Sequence, residues 1–178
     1  DTYLFFNGDT PTFVLDNVVS EYKNFWRDAF RDRARELNMT EHEVVTLASI
    51  IEGEAIYDKE RPTISGVYHN RLNRGMRLQA DPTIQYIIKD GPRRLLNRDL
   101  KIDSPYNTYK YEGLPPGPIN SPGEQSLIAA LYPEENEYLF FVARGDGYHT
   151  FTTNEKDHNN AKKQLQKLRR ELRKKKVL

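Results

Sequence analysis

Two carboxylates, Glu52 and Glu54, end the otherwise apolar run Leu47-Ala48-Ser49-Ile50-Ile51-Glu52-Gly53-Glu54-Ala55. On a helix Glu52 shares a side with Val45, Ala48 and Ser49, while Glu54 sits over Leu47, Ile50 and Ile51, so at least one of them lies beside apolar side chains. Desolvation and the negative end of the helix dipole both disfavour an anion there. Both push a Glu pKa upward, toward the range in which a carboxyl can act as a general acid at neutral pH. An isolated E-x-E pair is more often two solvated surface carboxylates, so the chemistry depends on what else the chain brings to it.

Three other stretches could supply partner groups. In residues 76–81 the alternation sends Met76, Leu78 and Ala80 to one face and Arg77, Gln79 and Asp81 to the other, as in a short half-buried strand whose polar face lines a cleft. Asp103-Ser104-Pro105-Tyr106-Asn107-Thr108-Tyr109 mixes amide, hydroxyl and aromatic groups. Sugar binding needs that mixture, with polar groups for the hydroxyls and aromatic faces for the apolar sides of pyranose rings, although a turn with core tyrosines has the same composition. His149 is the histidine placed to reach a cleft.

Other chemistries find little support. His42-Glu43 begins like the zinc motif H-E-x-x-H, but its fifth position is Thr46, and His69, His149 and His158 have no ligand spacing. With no cysteine, neither a metal nor a cofactor is expected. Gly-rich phosphate loops and the G-x-S-x-G elbow are absent from the sequence.

The elements that must position these groups follow from pattern. An extended opening segment, residues 1–14, leads to an amphipathic helix from Asp16 to near Asn38, whose aromatic stripe is expected in the core. Thr40 and Glu43 form a capping box for the helix that carries the two Glu, with Val44, Leu47, Ala48, Ile51 and Ala55 as its buried stripe. Pro62 opens a further helix that Gly75 stops, and Asp81-Pro82 reads as N-cap and first turn of another. Residues 103–123, rich in Pro and Gly, form a long irregular loop. Ser121 and Glu124 suggest a second capping box, residues 138–143 and 148–151 form a hairpin around Gly145-Asp146-Gly147, and a basic helix spans about 155–176 with a stripe of Ala161, Leu165, Leu168 and Leu172. The fold class is α+β: several helices packed with a small, mainly antiparallel sheet, and a long Pro/Gly-rich loop lining a cleft.

A length of 178 residues suits one well-filled core, and eleven Tyr and eight Phe provide the apolar area to build it. The net charge of +1 gives no overall signature of a nucleic-acid binder, and the ten Lys and Arg of the last helix read as a solvated face. No run is long and apolar enough to span a membrane. The chain opens at Asp1 without an initiator Met, which suggests a piece of something longer.

Together these stretches resemble the YceG-like family of endolytic murein transglycosylases. The matching residues are Leu47-Ala48-Ser49-Ile50-Ile51-Glu52, then Asn70-Arg71-Leu72 with Gly75-Met76-Arg77-Leu78-Gln79-Ala80-Asp81-Pro82-Thr83. Next come Ser104-Pro105-Tyr106-Asn107-Thr108-Tyr109 and Gly113-Leu114-Pro115-Pro116-Gly117-Pro118-Ile119. Tyr138-Leu139-Phe140-Phe141-Val142, Gly147-Tyr148-His149-Thr150-Phe151 and His158-Asn159 complete a match across roughly residues 40–160.

The resemblance implies a peptidoglycan lyase that cuts the MurNAc-GlcNAc bond within glycan strands, leaves 1,6-anhydro-MurNAc ends and terminates elongation of nascent strands. It places the catalytic Glu at Glu52, with Gln79, Asp81, Asn107, Tyr109 and His149 as substrate-binding candidates. It implies a catalytic domain over residues 15–178, with residues 1–14 as the remnant of a LysM-like subdomain. An N-terminal helix absent from this chain would anchor the protein at the extracytoplasmic face of the cytoplasmic membrane, near the cell-wall synthesis machinery. Two other readings compete: a non-catalytic glycan-binding module, and a conventional hydrolase using Glu52 with Glu54 or Asp81 as second carboxylate.

Overall fold

The computed structural model describes residues 3–175, with side chains as far as Glu171. Its helices are α1 (Pro11–Phe25), α2 (Asp28–Glu36), α3 (Glu41–Glu54), α4 (Arg61–Asn73), α5 (Asp81–Ile87), α6 (Glu124–Leu131) and α7 (Glu155–Lys175). The strands β1 (Phe140–Ala143) and β2 (His149–Thr152) pair antiparallel, with Phe141 opposite Phe151 and Ala143 opposite His149. Among the described residues this hairpin is the whole sheet, and the fold is α+β as expected.

α3 is the centre. The expected capping box forms: Glu43 N–H donates to Thr40 Oγ1 at 3.2 Å, and Thr40 N–H donates to Glu43 Oε2 at 2.8 Å. Val44, Leu47, Ala48, Ile50 and Ile51 are all 0% exposed, and Thr46 and Ser49 are buried beside them. A helix covered nearly all round must lie inside its neighbours. α2, α4, α5 and α6 surround it.

Several expectations need correction. The helix expected from Asp16 to Asn38 is two helices, broken where Arg27 takes an extended conformation. The break lets Trp26 and Phe30 enter the core and turns the chain away from α1. α1 therefore buries none of its residues; Val18, Val19 and Tyr22 are exposed, and the expected aromatic stripe contributes to the core only from Phe25 onward. α1 also starts earlier than expected, at Pro11, because the Thr10 side chain accepts from Phe13 N–H.

Residues 76–81 keep their alternation of burial, with Leu78 and Ala80 buried and Arg77, Gln79 and Asp81 exposed, but they do not form a strand. Gln79 has φ +50°, and the backbone bonds go to a loop: Gln79 N–H to Thr108 O and Ala80 N–H to Thr108 Oγ1, both at 3.0 Å. The N-cap of α5 is Ala80, which leaves the Asp81 carboxylate for other partners. The second capping box is also absent: α6 begins after Gly123, whose N–H is taken by Glu52.

The hairpin packs under α7, where Ala161 is buried, Leu165 half-buried and Leu168 exposed. The side chain of Leu172 and residue 176 lie outside the described residues, as do residues 1 and 2 of the opening segment. No described helix is long and apolar enough to cross a membrane.

Ile51 has no exposed surface at the point where α3 meets the rest of the core. Ile51→Ala should cost about 2–5 kcal/mol in urea denaturation, through the cavity it leaves.

Candidate active site

The end of α3 presents its two carboxylates to different surroundings. Glu54, its last residue, accepts a hydrogen bond from Tyr68 Oη of α4 at 2.9 Å. Desolvation dominates here and pushes its pKa up to about 7; the neighbouring Asp81 adds to the rise, while Tyr68 and the Arg71 guanidinium oppose it. Burial likewise pushes the Tyr68 and Tyr109 hydroxyls up, so both remain neutral donors.

Asp81, at the start of α5, accepts from Tyr109 Oη. Arg71 is buried and donates to three carbonyls: Leu139 O at 2.6 Å, Leu78 O at 2.6 Å and Arg77 O at 3.2 Å. One guanidinium thus joins α4, the segment before α5 and the hairpin, and sets a positive charge near Glu54. His149 is fixed by Glu60: its N–H donates to Oε1 and its Nδ1 meets Oε2, both at 3.0 Å. With Nδ1 engaged by a carboxylate, Nε2 is the ring nitrogen left for other partners.

These groups line one cleft of about 430 Å³, in which Glu54, Gln79, Asp81, Tyr109 and His149 face residues of α7. A second hollow of about 620 Å³ also includes Glu54 and Asp81, together with Gln85, Tyr86 and Asn120. The two carboxylates therefore stand at the joint of a groove that extends to both sides. Among the described residues no three His, Asp or Glu side chains converge to hold a metal ion.

Of the expected site residues, Gln79, Asp81, Tyr109 and His149 are brought together, and Glu52 and Asn107 are not among the groups lining either hollow. Asn107 is 0% exposed; its amide donates to Leu100 O at 3.1 Å and Ile102 O at 2.7 Å, and its Oδ1 accepts from Tyr109 N–H at 2.9 Å. It shapes the loop that presents Tyr109. Glu52 turns toward α6 instead. Ser126 Oγ donates to its Oε2 at 2.8 Å and Gly123 N–H at 3.1 Å, and Arg61 Nη1 lies 3.3 Å away. Glu52 thus closes the start of α6 with donors and a cation around it, and the desolvation expected of at least one of the two carboxylates falls on Glu54.

Three site residues were not singled out from sequence. Arg71 carried a signal, since it falls three residues after Tyr68 and four after Val67, on the buried side of α4. Tyr68 looked like any core aromatic. Glu60, in a polar run before α4, had no distinguishing pattern.

An α+β domain with a carboxyl of raised pKa at the joint of an open, polar and aromatic groove has the means for acid–base chemistry on a bound polar molecule. The YceG-like family model matches residues 1–164, and the chain belongs to that family. It is 40% identical over 161 residues to the endolytic murein transglycosylase of Bacillus subtilis (strain 168), covering 90% of this chain and 45% of that protein. It is 38% identical over 165 residues to the endolytic murein transglycosylase of Streptococcus pneumoniae (serotype 2, strain D39), covering 89% of this chain and 30% of that one. The crystal structure of a YceG-like protein from Listeria monocytogenes superposes with a TM-score of 0.77 at 38% identity, over 89% of this chain and 51% of that chain. The chain spans less than half the length of the curated relatives it matches.

The raised pKa of Glu54 has a stability consequence. The folded state holds this proton more tightly than the unfolded chain, so the contribution of Glu54 is fully present below its ordinary value of 4.5 and is lost as pH rises to about 7. In Glu54→Gln that loss should disappear. Urea denaturation of both proteins at pH 4.5, 6 and 8 should show the variant gaining on the wild type through this window, with a flat difference above it.

Proposed function

We propose that this chain carries the catalytic domain of an endolytic murein transglycosylase, a lyase that cuts the MurNAc-GlcNAc bond inside peptidoglycan strands and leaves 1,6-anhydro-MurNAc ends. The observation that carries the reading is the Glu54 carboxyl, with its pKa raised to about 7, at the joint of the two hollows. The names of the relatives support the reaction class.

In this reading the role expected of Glu52 passes to Glu54. Protonated Glu54 donates to the bridging oxygen as positive charge develops on the anomeric carbon of MurNAc. The resulting carboxylate takes the proton of the MurNAc 6-hydroxyl, whose oxygen bonds to that carbon. Glu54 ends the cycle protonated, and no water is consumed. Gln79, Asp81, Tyr109 and His149 hold the sugars on either side; the Asp81 carboxylate faces the developing charge, and Asn107 acts through the position of Tyr109. The domain works at the extracytoplasmic face of the cytoplasmic membrane, tethered by a helix N-terminal to this segment, and terminates nascent strands beside the synthesis machinery.

A second reading draws on Asp81, which lies beside Glu54 in both hollows and supplies the second carboxylate of a conventional hydrolase. The test is digestion of purified peptidoglycan in labelled water by the wild type, Glu54→Gln and Glu52→Gln, with the products read by mass spectrometry. The wild type should release unlabelled anhydro-MurNAc ends. Glu54→Gln should lose roughly a hundredfold or more of this activity, and folded Glu52→Gln should stay within about tenfold of the wild type, as expected of a group outside the proton path. The opposite ranking would return the role to Glu52. Labelled reducing ends would make the protein a hydrolase, and strand binding without any product would make it a glycan-binding module.

A further inference from the structure

The groove does not stop at the cleft around Glu54. Gln166 and Arg169 of α7 line that cleft and also a further hollow of about 570 Å³, whose other lining residues are Arg94 and Arg170. Three guanidinium groups from two separate segments thus face one space, and among the described residues none of the side chains lining it is acidic. Lys162, four residues before Gln166 on the same face of α7, extends the positive edge back into the cleft.

Among the described residues, Arg94, Lys162, Arg169 and Arg170 make no ion pair. Arg93, adjacent to Arg94, shows the contrast: it binds both oxygens of Asp99, at 2.7 and 3.0 Å, and reaches Asp90 at 3.0 Å. Among the described residues, the hollow on the other side of Glu54 has no Lys or Arg in its lining and presents Tyr86, Gln85 and Asn120 besides the shared Glu54 and Asp81. The groove is therefore cationic at one end only.

We propose that the hollow formed by Arg94, Arg169 and Arg170 is an oxyanion site that holds a carboxylate or phosphate carried by the polymer lying across Glu54. This rests on the glycan-strand reading above and adds to it a requirement for charge on one side of the scissile bond. Guanidinium groups suit the task because each offers a planar pair of donors to two oxygens of a carboxylate or phosphate. Lys162 and Arg169 are seven residues apart on α7, roughly 10 Å along the helix, so the anion sits to one side of Glu54 and orients the strand. Stem-peptide carboxylates and strand-borne phosphates are two sources of the same chemistry.

The test measures equilibrium binding without turnover, on the full chain carrying Glu54→Gln, with and without Arg94→Gln and Arg170→Gln. The probes are fluorescent glycan strands that keep their stem peptides, strands stripped of them by an amidase, and stripped strands bearing phosphate. At least one charged strand should bind about tenfold or more tighter than the stripped one, with an advantage that shrinks as salt rises. The two Arg substitutions should remove most of that advantage and change binding of stripped strands less than about twofold. Whichever charged strand shows the effect identifies the source of the anion. Equal binding of all strands, equal weakening on stripped strands, or displacement of every strand by a duplex oligonucleotide would overturn the site. Failure of the wild type to form anhydro ends would sink the catalytic reading while leaving this binding comparison intact.

Discussion

The structure depends on the burial of α3. A helix with Val44, Leu47, Ala48, Ile50 and Ile51 entirely covered can lie only in the middle of the domain. Its C-terminal end must then emerge among other elements, so polar residues in its last turn meet protein before they meet solvent. Glu52 and Glu54 both meet this condition, and they resolve it differently. Glu52 finds cationic and neutral donors at the start of α6. Glu54 is desolvated and lies near the Asp81 carboxylate, and these lift its pKa against the opposing Tyr68 hydroxyl and Arg71 charge.

Around that helix end the remaining elements act as supports. Arg71 ties three of them through carbonyl oxygens and leaves its charge near Glu54. Thr108 receives the backbone N–H of Ala80 on its side chain and that of Gln79 on its carbonyl, which locks the Pro/Gly-rich loop to the segment preceding α5. Tyr109, the next residue, is thereby delivered to Asp81. Glu60 does the same for His149 from the far side of the hairpin. Glu54, Asp81, Tyr109 and His149 each bond a second residue that fixes its direction, which limits the reorganisation needed when a ligand enters.

Much of this was legible in the sequence because it was local. The capping box at Thr40, the buried stripe of α3, the hairpin and the alternation at residues 76–81 all follow from spacing alone. What was not legible involves partners distant in sequence. At Arg27 the helix breaks where Trp26 enters the core, a long-range packing event that periodicity does not register. Ser121 and Glu124 have the spacing of a capping box, yet Glu52, about seventy residues earlier, takes the Gly123 N–H and sets the start of α6. Helical geometry had already set Glu54 above Leu47, Ile50 and Ile51, while the motif match pointed to Glu52. Spacing alone leaves open which of the two carboxylates is the desolvated one, because that depends on what α4, α5 and α6 bring to the helix end.

The groove passes over Glu54 and continues on both sides of it. Under the proposed function, an intact strand lying across the joint is a bivalent ligand, each half keeping the other at high local concentration. Once the bond between the halves is gone, that mutual tethering ends and each fragment would keep only the affinity of its own hollow. Under that proposal cleavage converts one slow departure into two faster, independent ones, and the shape of the groove itself would limit inhibition by product.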